Sequence, residues 1–414
     1  MTPLNWGQIF AQLLIQFVPV WVTLLVIFAA SITFKRRLGL YGKLFDSKVG
    51  MIGFGIVAFW LFTAIFSEGV AIAGINLVPA IATFDPLVQI AELKNKVPGT
   101  FIPDSEELAY LLGGDNLGRD VFSRMVIGAK GVMSIAPAAT TIAFMVGITL
   151  GLPAGYFGGR FDTSLSFVAN LVLAFPVILL FYLLVTPEIR EAGTEIPLWL
   201  NNTWTTSIPN ILAAILFAFP IVFFIILWNS KFFTQPATRL LLISLTLLLG
   251  FWAYSGLAFN ADPLSAFGLG VFGMSPNLLN VFVSVVFVNS PTVFRIVRGL
   301  TLDIQTRDYV AAAQTRGEGP WYIMLWEILP NARGPLIVDF CLRIGYTTIL
   351  LGTLGFFGLG VSPESPDWGS TINDGRKLLS IYPHPALPPA LALMSLVLGL
   401  NLLADGLREE SLKD

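Results

Sequence analysis

The sequence predicts an all-α fold, a polytopic bundle of about nine transmembrane helices. The chain has 414 residues, of which 55% are hydrophobic and only 12% are charged. Soluble proteins carry about 25% charged residues. Several apolar runs reach the roughly 20 residues that a helix needs to cross a bilayer. All but one of these runs are free of charge, whereas the helices of soluble proteins need a polar face.

The charges between the apolar runs predict the orientation of the chain. Basic residues concentrate in 35–48 and 231–239 and around the stretch 295–333, whereas acidic residues are frequent in 67–130. Because Lys and Arg favour the cytoplasmic side, we expect the N-terminus outside and the C-terminus in the cytoplasm. The candidate spans lie near 9–34, 49–66, 131–153, 164–186, 207–229, 240–259, 278–294, 335–361 and 385–404.

The composition and motifs argue against several classes of function. A net charge of -2 favours neither nucleic acid nor an acidic partner. The lone Cys341 cannot form an internal disulfide, and the lone His384 has no neighbouring metal-ligand cluster. No G-x-x-x-x-G-K-[ST] motif occurs, so we expect no ATP site, no catalytic residue and no metal in this chain. Any energy-driven activity of this chain would then need another subunit or an ion gradient as its energy source.

A polar element interrupts the apolar pattern at "RDYVAAAQTRGEGPWYIMLWEILPNARGP", residues 307–335. A short helix is predicted from Asp308 to Arg316, with Thr306 or Asp308 as its cap and Gly317 as its stop. Pro320 suits the first turn of a second helix, and Pro330 limits the continuation of that helix. This pattern predicts a cytoplasmic helix-turn-helix hairpin. An ordinary loop with two interfacial helices is the alternative.

The hairpin resembles the EAA loop of bacterial ABC importer permeases. Ala311, Ala312 and Ala313 take the place of its first triplet, Gly317 that of its glycine, and Leu329-Pro330 that of its end. Ala311 replaces the family's Glu, and Glu327 replaces its Ile. Four further stretches resemble dipeptide and oligopeptide permeases of the DppC/OppC type: "LLGGDNLGRDVFSRMVIGAK" (111–130), "GLPAGYFGGRFD" (151–162), "PDWGSTINDGR" (366–376) and "LNLLADGLRE" (400–409).

The resemblance implies a permease subunit of an ATP-driven importer for peptides or related small solutes, in a bacterial or archaeal inner membrane. It implies a DppB-like second permease subunit, two ABC ATPase subunits that bind ATP and Mg, and an extracytoplasmic substrate-binding protein. Membrane lipid surrounds such a chain, and no nucleic acid is involved. The residues that the resemblance assigns to ATPase coupling are Asp308, Tyr309, Ala311, Ala312, Ala313, Arg316, Gly317, Leu329 and Pro330.

The resemblance also divides the chain. Residues 49–185 and 278–414 form the two parts of a six-span core, with an external loop at 67–130 and the coupling loop at 299–334. Residues 1–48 add an N-terminal span and a basic cytoplasmic turn, and residues 186–277 insert two further spans. Two roles are open for these added segments. They pack around the core, or they form a site for an accessory subunit.

Three glycines are candidates for subunit packing. Gly147, Gly151 and Gly155 recur every fourth residue on one helix face. Small residues at this spacing let membrane helices approach closely. The pattern predicts a tight contact, either within the core or with a second permease subunit.

Polar residues inside spans are candidates for the transport pathway. Asp339 and Arg343 are four residues apart, so they share a helix face and can pair. Charges at membrane depth usually face a bundle interior or a cavity, although a structural pair near the cytoplasmic end is an equally simple interpretation. Asn289 lies in another span and is open to the same two interpretations.

The external stretch 362–376 is a candidate contact for a substrate-binding protein. It contains Glu364, Asp367 and Trp368. A capped loop between two helices is the alternative.

Two other classes of membrane protein remain as alternatives. An ion-coupled secondary transporter should show inverted repeats and more intramembrane carboxylates than Asp339. A non-transporting membrane scaffold would need no coupling hairpin.

Overall fold

The computed structural model describes residues 2–37, 39–72, 75–103, 108–179, 208–259, 276–359 and 365–411. Helices dominate these residues, as the sequence predicts. Seven of the described helices are long and apolar enough to cross a membrane, and a bent helix pair at the N-terminus makes an eighth if it counts as one span. The predicted span near 164–186 and the insert at 186–277 lie partly outside the described residues.

The described residues fall into two compact units, one of 1–137 with 337–414 and one of 138–336. The helices before the insert are α1 (Trp6–Gln16), α2 (Val18–Thr33), α3 (Gly39–Leu44), α4 (Lys48–Phe66), α5 (Val121–Phe157) and α6 (Gly159–Ala174). The later helices are α7 (Ile208–Lys231), α8 (Pro236–Phe259), α9 (Pro276–Ile304), α10 (Asp308–Thr315), the single turn α11 (Pro320–Tyr322), α12 (Leu329–Phe356), α13 (Trp368–Arg376) and α14 (Leu387–Ser411).

The first predicted span, 9–34, is not one straight helix. It divides at Phe17 into α1 and α2, which are bent by 56°. Pro19 stands in the first turn of α2. Proline has no N–H for the preceding turn, and its ring clashes with the carbonyl four residues earlier, so it begins a new helix here.

Glycines bring α4 and α14 together in the first unit. A Cβ placed on Gly53 would lie 2.3 Å from the backbone nitrogen of Leu403, and one on Gly406 would lie 2.3 Å from the Cα of Gly50. Backbones can approach this closely only where side chains are absent.

Short antiparallel strand pairs occur only between α4 and α5 among the described residues. β1 (Val70–Ile72) pairs with β2 (Ile75–Val78), and β3 (Thr100–Phe101) pairs with β4 (Ala109–Tyr110). They lie in the segment 67–130, which the sequence predicts to be an external loop.

Candidate functional site

The candidate site is the polar hairpin between α9 and α12. Helix α10 is its first arm, and α11 with the π-helical segment Ile323–Ile328 is its second. Both predicted arms are therefore present. The predicted cap is wrong, however, because Arg307 is the N-cap and no side chain caps the start of the helix. The Thr306 hydroxyl instead donates to the carbonyl of Asp303, at 2.8 Å.

Gly317 ends the first arm, as the sequence predicts. The backbone N–H of Gly317 donates to the Gln314 carbonyl, and that of Glu318 donates to the Ala313 carbonyl. These two bonds form a Schellman motif, which needs a residue in the left-handed region. The φ of Gly317 is +79°. Gly319 then caps the second arm, with Pro320 in its first turn.

The two arms pack against each other through apolar side chains. Val310 and Ala313 of α10 are fully buried, and so are Met324 and Ile328 of the π-helical segment. The opposite side of α10 is exposed and carries most of the predicted coupling residues: Asp308, Tyr309, Ala311, Ala312 and Arg316. Ala313 therefore belongs to the hairpin's interior, whereas the other five form an outward face, called the α10 face below.

An ion pair also joins the arms. The Arg316 Nη2 lies 3.0 Å from the Glu327 Oε1. Glu327 stands where the family pattern has Ile, so this departure supplies the carboxylate. The pair is partly exposed, with 55% and 23% of the two side chains accessible, and such pairs add little stability.

The second arm does not end at Pro330, contrary to the prediction. The π-helical segment passes directly into α12, and one helical run extends from Pro320 to Phe356. The N–H of Leu329 bonds to the Met324 carbonyl, five residues back. The wider π-helical turn comes just before the proline, and π-bulges commonly occur where a helix departs from regular bonding. Pro330 is exposed in the first turn of α12.

The three glycines of α5 lie against α9 of the same chain. A Cβ on Gly147 would come within 2.5 Å of Val293 Cγ1, and one on Gly151 within 2.8 Å of Val297 Cβ. Gly155 faces Thr301 in the same way, at 2.6 Å. Of the two sequence interpretations, the structure has the tight contact within the core.

A second ion pair lies next to this contact. The Arg298 Nη2 of α9 donates to the Asp162 Oδ2 of α6, at 2.6 Å. This hydrogen bond lowers the pKa of Asp162 below its ordinary value. It joins the α5–α6 turn to the part of α9 that leads into the hairpin. Sequence reasoning quoted Asp162 within a motif but did not assign it a partner.

The intramembrane charges pair as their spacing predicts. The Arg343 Nε and Nη2 each donate to one oxygen of Asp339, both at 3.2 Å. The pair is largely buried, with 9% and 17% of the side chains accessible. Asn289 is buried in α9. The ion pair fits the structural interpretation. A role of these residues in the transport pathway stays a prediction.

Trp368 and Asp367 do not form an exposed contact surface, which corrects that prediction. Trp368 is 0% exposed, and its Nε1 donates to the Met125 carbonyl at 2.8 Å. Asp367 caps α13 by accepting from the Ser370 N–H at 3.0 Å. This arrangement matches the capped-loop alternative. Glu364 lies outside the described residues.

Sequence reasoning missed a buried ion network between two quoted motifs. The Arg119 Nε lies 2.6 Å from the Asp115 Oδ2, and its Nη2 lies 2.9 Å from the Asp374 Oδ2. The Arg124 Nη2 donates to the Ser365 carbonyl, at 2.9 Å. Both arginines are at most 1% exposed. The repeated charges within 111–130 were the only local sign of this network. Partners such as Asp374 and Ser365 are distant in the sequence.

Comparisons of the sequence with known proteins point to transport permeases. Residues 228–409 match the family described as binding-protein-dependent transport system inner membrane component. The chain is 29% identical over 301 residues to the glutathione transport system permease protein GsiD of Pectobacterium atrosepticum, covering 73% of this chain and 71% of that protein. It is 26% identical over 344 residues to the dipeptide transport system permease protein DppC of Alkalihalophilus pseudofirmus, covering 82% and 84%. DppC of Haemophilus influenzae is 26% identical over 333 residues, covering 80% and 83%.

Proposed function

We propose that this chain is a permease subunit of an ATP-driven importer and that its cargo is short peptides. The match of residues 228–409 to the inner membrane components of binding-protein-dependent transport systems supports the first part. The relatives DppC and GsiD are named for dipeptide and glutathione transport, which supports this substrate class. The hairpin 307–330 is the surface on which separate ATPase subunits act.

The observation that carries the coupling role is the α10 face. Tyr309, Ala311 and Ala312 are exposed on an arm whose other side is packed into the hairpin. Packing, a glycine stop and an ion pair fix the two arms to each other, so the hairpin can move as one body. Its second arm passes without interruption into α12. A push on the α10 face therefore reaches a membrane helix directly.

The mechanism is alternating access. Binding of ATP in the partner subunits closes them and moves the hairpin, and the pathway changes its exposure from one side of the membrane to the other. ATP can shift this equilibrium only through a partner that binds the two states differently. ATP and Mg bind to the partners, because this chain has no phosphate-binding loop.

The complete importer contains a second permease subunit, two ATPases and an extracytoplasmic binding protein. The basic turns at 35–48 and 231–239 support a cytoplasmic C-terminus and an external N-terminus. The hairpin then faces the cytoplasm, where the ATPases are.

The experiment is co-purification followed by transport. The tagged chain is expressed with its genomic neighbours, and its partners are identified by mass spectrometry. The complex is then reconstituted in liposomes with binding protein and tested for ATP-dependent uptake of a labelled dipeptide. Ala312→Arg places a charge on the α10 face and should remove both ATPase binding and uptake.

Ala91→Arg is the matched control, since Ala91 is also exposed but lies between α4 and α5. It should leave both measurements unchanged. Equal behaviour of the two variants would refute the coupling role of the α10 face. Uptake without ATP by the chain alone would refute the importer mechanism and favour an ion-coupled transporter.

A further inference from the structure

A large apolar groove lies between α2 and α4 in the first unit. Its volume is about 940 Å³, within the range of ligand sites of roughly 300–1,000 Å³. Trp21 and Phe28 of α2 form one wall, and Gly55 and Phe59 of α4 form the other. Helix α2 precedes the family match at 228–409, so that match assigns no role to this groove.

Aromatic rings line one end of the groove. The rings of Trp21 and Phe59 are 5.2 Å apart. The Trp60 Nε1 donates to the Ser395 hydroxyl at 2.9 Å, so the polar atom of that indole is satisfied. The missing side chain at Gly55 leaves space in the middle, since a Cβ there would approach nothing closer than the Phe28 ring at 3.5 Å.

A positive charge stands at the other end. Of the described residues that line the groove, only Lys48 is charged. Lys48 is exposed and forms no ion pair with any residue in the described ranges. Two carboxylates on neighbouring segments have other partners, since Asp46 pairs with Lys35 and Glu409 accepts from the Ser47 hydroxyl. An exposed ammonium beside an apolar channel attracts an anionic group.

We propose that the groove holds one acyl chain of an anionic glycerophospholipid, with the phosphate at Lys48 and the chain end at Trp21 and Phe59. The length agrees with this occupant. Lys48 and Trp60 are 12 positions apart on one helix, which is roughly 18 Å at 1.5 Å per residue. One leaflet of the hydrocarbon core is about 15 Å thick. The lipid would fill the space between the N-terminal helix and the rest of the unit.

Native mass spectrometry of the purified complex tests the proposal. The complex is delipidated and titrated with phosphatidylglycerol or with phosphatidylcholine of the same acyl chains. Gly55→Leu and Leu24→Trp fill the groove from opposite walls, and each should remove one bound phosphatidylglycerol. Lys48→Gln should weaken phosphatidylglycerol binding about fivefold, the effect of one lysine near an anionic surface, and leave phosphatidylcholine binding unchanged.

Two control variants match these changes elsewhere. Gly131→Leu adds the same side chain where a Cβ meets nothing within 4 Å, and Lys377→Gln removes another exposed lysine. Both should bind lipid as the wild type does. The proposal is overturned if both groove-filling variants keep the lipid, or if Lys48→Gln keeps the full preference for phosphatidylglycerol. It is also overturned if a cysteine at Ile52 crosslinks to a partner subunit and the complex takes up no lipid at this site.

Discussion

Replacing Gly317 by serine tests whether the glycine stop keeps the hairpin in one shape. Gly317 has a φ of +79°, whereas Gly319, two residues later, has a φ of -73°. A Cβ at either position would meet nothing within 4 Å. The same substitution at both sites therefore differs only in backbone conformation, and Gly319→Ser is the matched control.

The expected cost follows from this difference. A residue with a Cβ in the left-handed region costs about 1–2 kcal/mol. That energy changes the ratio of closed to open hairpin by a factor of roughly 5–30. At Gly319 the backbone is extended and begins a helix, where serine is a preferred N-cap. Gly319→Ser should therefore leave this ratio unchanged or raise it.

Hydrogen exchange measures the ratio directly. The amides of residue 317 and Glu318 are protected only while they donate to Gln314 and Ala313. In Gly317→Ser both amides should exchange roughly 5–30 times faster, in proportion to the open population. Transport per ATP hydrolysed should fall in the same variant, because a loosened hairpin transmits less motion to α12.

Comparing exchange in Gly317→Ser with exchange in Gly319→Ser tests the role of the left-handed stop. If Gly317→Ser and Gly319→Ser exchanged at equal rates, the left-handed stop would not hold the hairpin closed. If exchange increased in Gly317→Ser while transport per ATP stayed at the wild-type value, the hairpin's shape would not matter for coupling.

Three further predictions concern other contacts. Gly147→Ala should destabilise the chain by about 1–3 kcal/mol through overpacking, and Val293→Ala in the same chain should recover most of the loss in thermal unfolding. Burial raises the pKa of Asp120 to about 6, so its contribution to stability is complete below about pH 4 and is lost as pH rises through 6. Asp120→Asn should therefore have a free energy of unfolding about 2–3 kcal/mol higher than the wild type at pH 8, seen as a higher unfolding temperature, and should match the wild type near pH 4; a constant difference would contradict this. A double-mutant cycle on Arg316 and Glu327 should give a coupling of only about 0.2–1 kcal/mol, and a larger value would mean that the pair is better shielded from water than its exposure indicates.

Local features of the sequence predicted the spans and the hairpin stop. A membrane helix can be recognised from about 20 consecutive apolar residues. The structure has such helices where most of the runs were predicted. Gly317 was predictable because a helix end that needs positive φ favours glycine at that residue.

The prediction that Pro330 ends the second arm was wrong because the effect of a proline is not set by the proline alone. Its effect depends on the bonding of the preceding turn, which is π-helical here. No residue in 323–328 indicates a π-helix by itself, so the rule that proline ends a helix was applied where a wider turn had already made room.

The outward-facing interpretation of Trp368 failed because burial is a long-range property. Its partners are Met125, 243 residues away, and Trp60, whose ring lies 5.1 Å from its own. The pairing of Arg119 with Asp374 spans 255 residues. Contacts between residues so far apart leave no local pattern in the sequence.

The two departures from the EAA pattern have one combined consequence. Ala311 removes a carboxylate from the α10 face, and Glu327 adds one that holds Arg316 within the hairpin. Tyr309, Ala311 and Ala312 then form the uncharged part of the α10 face, between the exposed charges of Asp308 and Arg316. We infer that the proposed ATPase subunits meet one charge fewer here than they would with a glutamate at position 311. Their affinity for this chain should therefore depend less on salt than that of an Ala311→Glu variant, because screening acts on charges and not on apolar contacts.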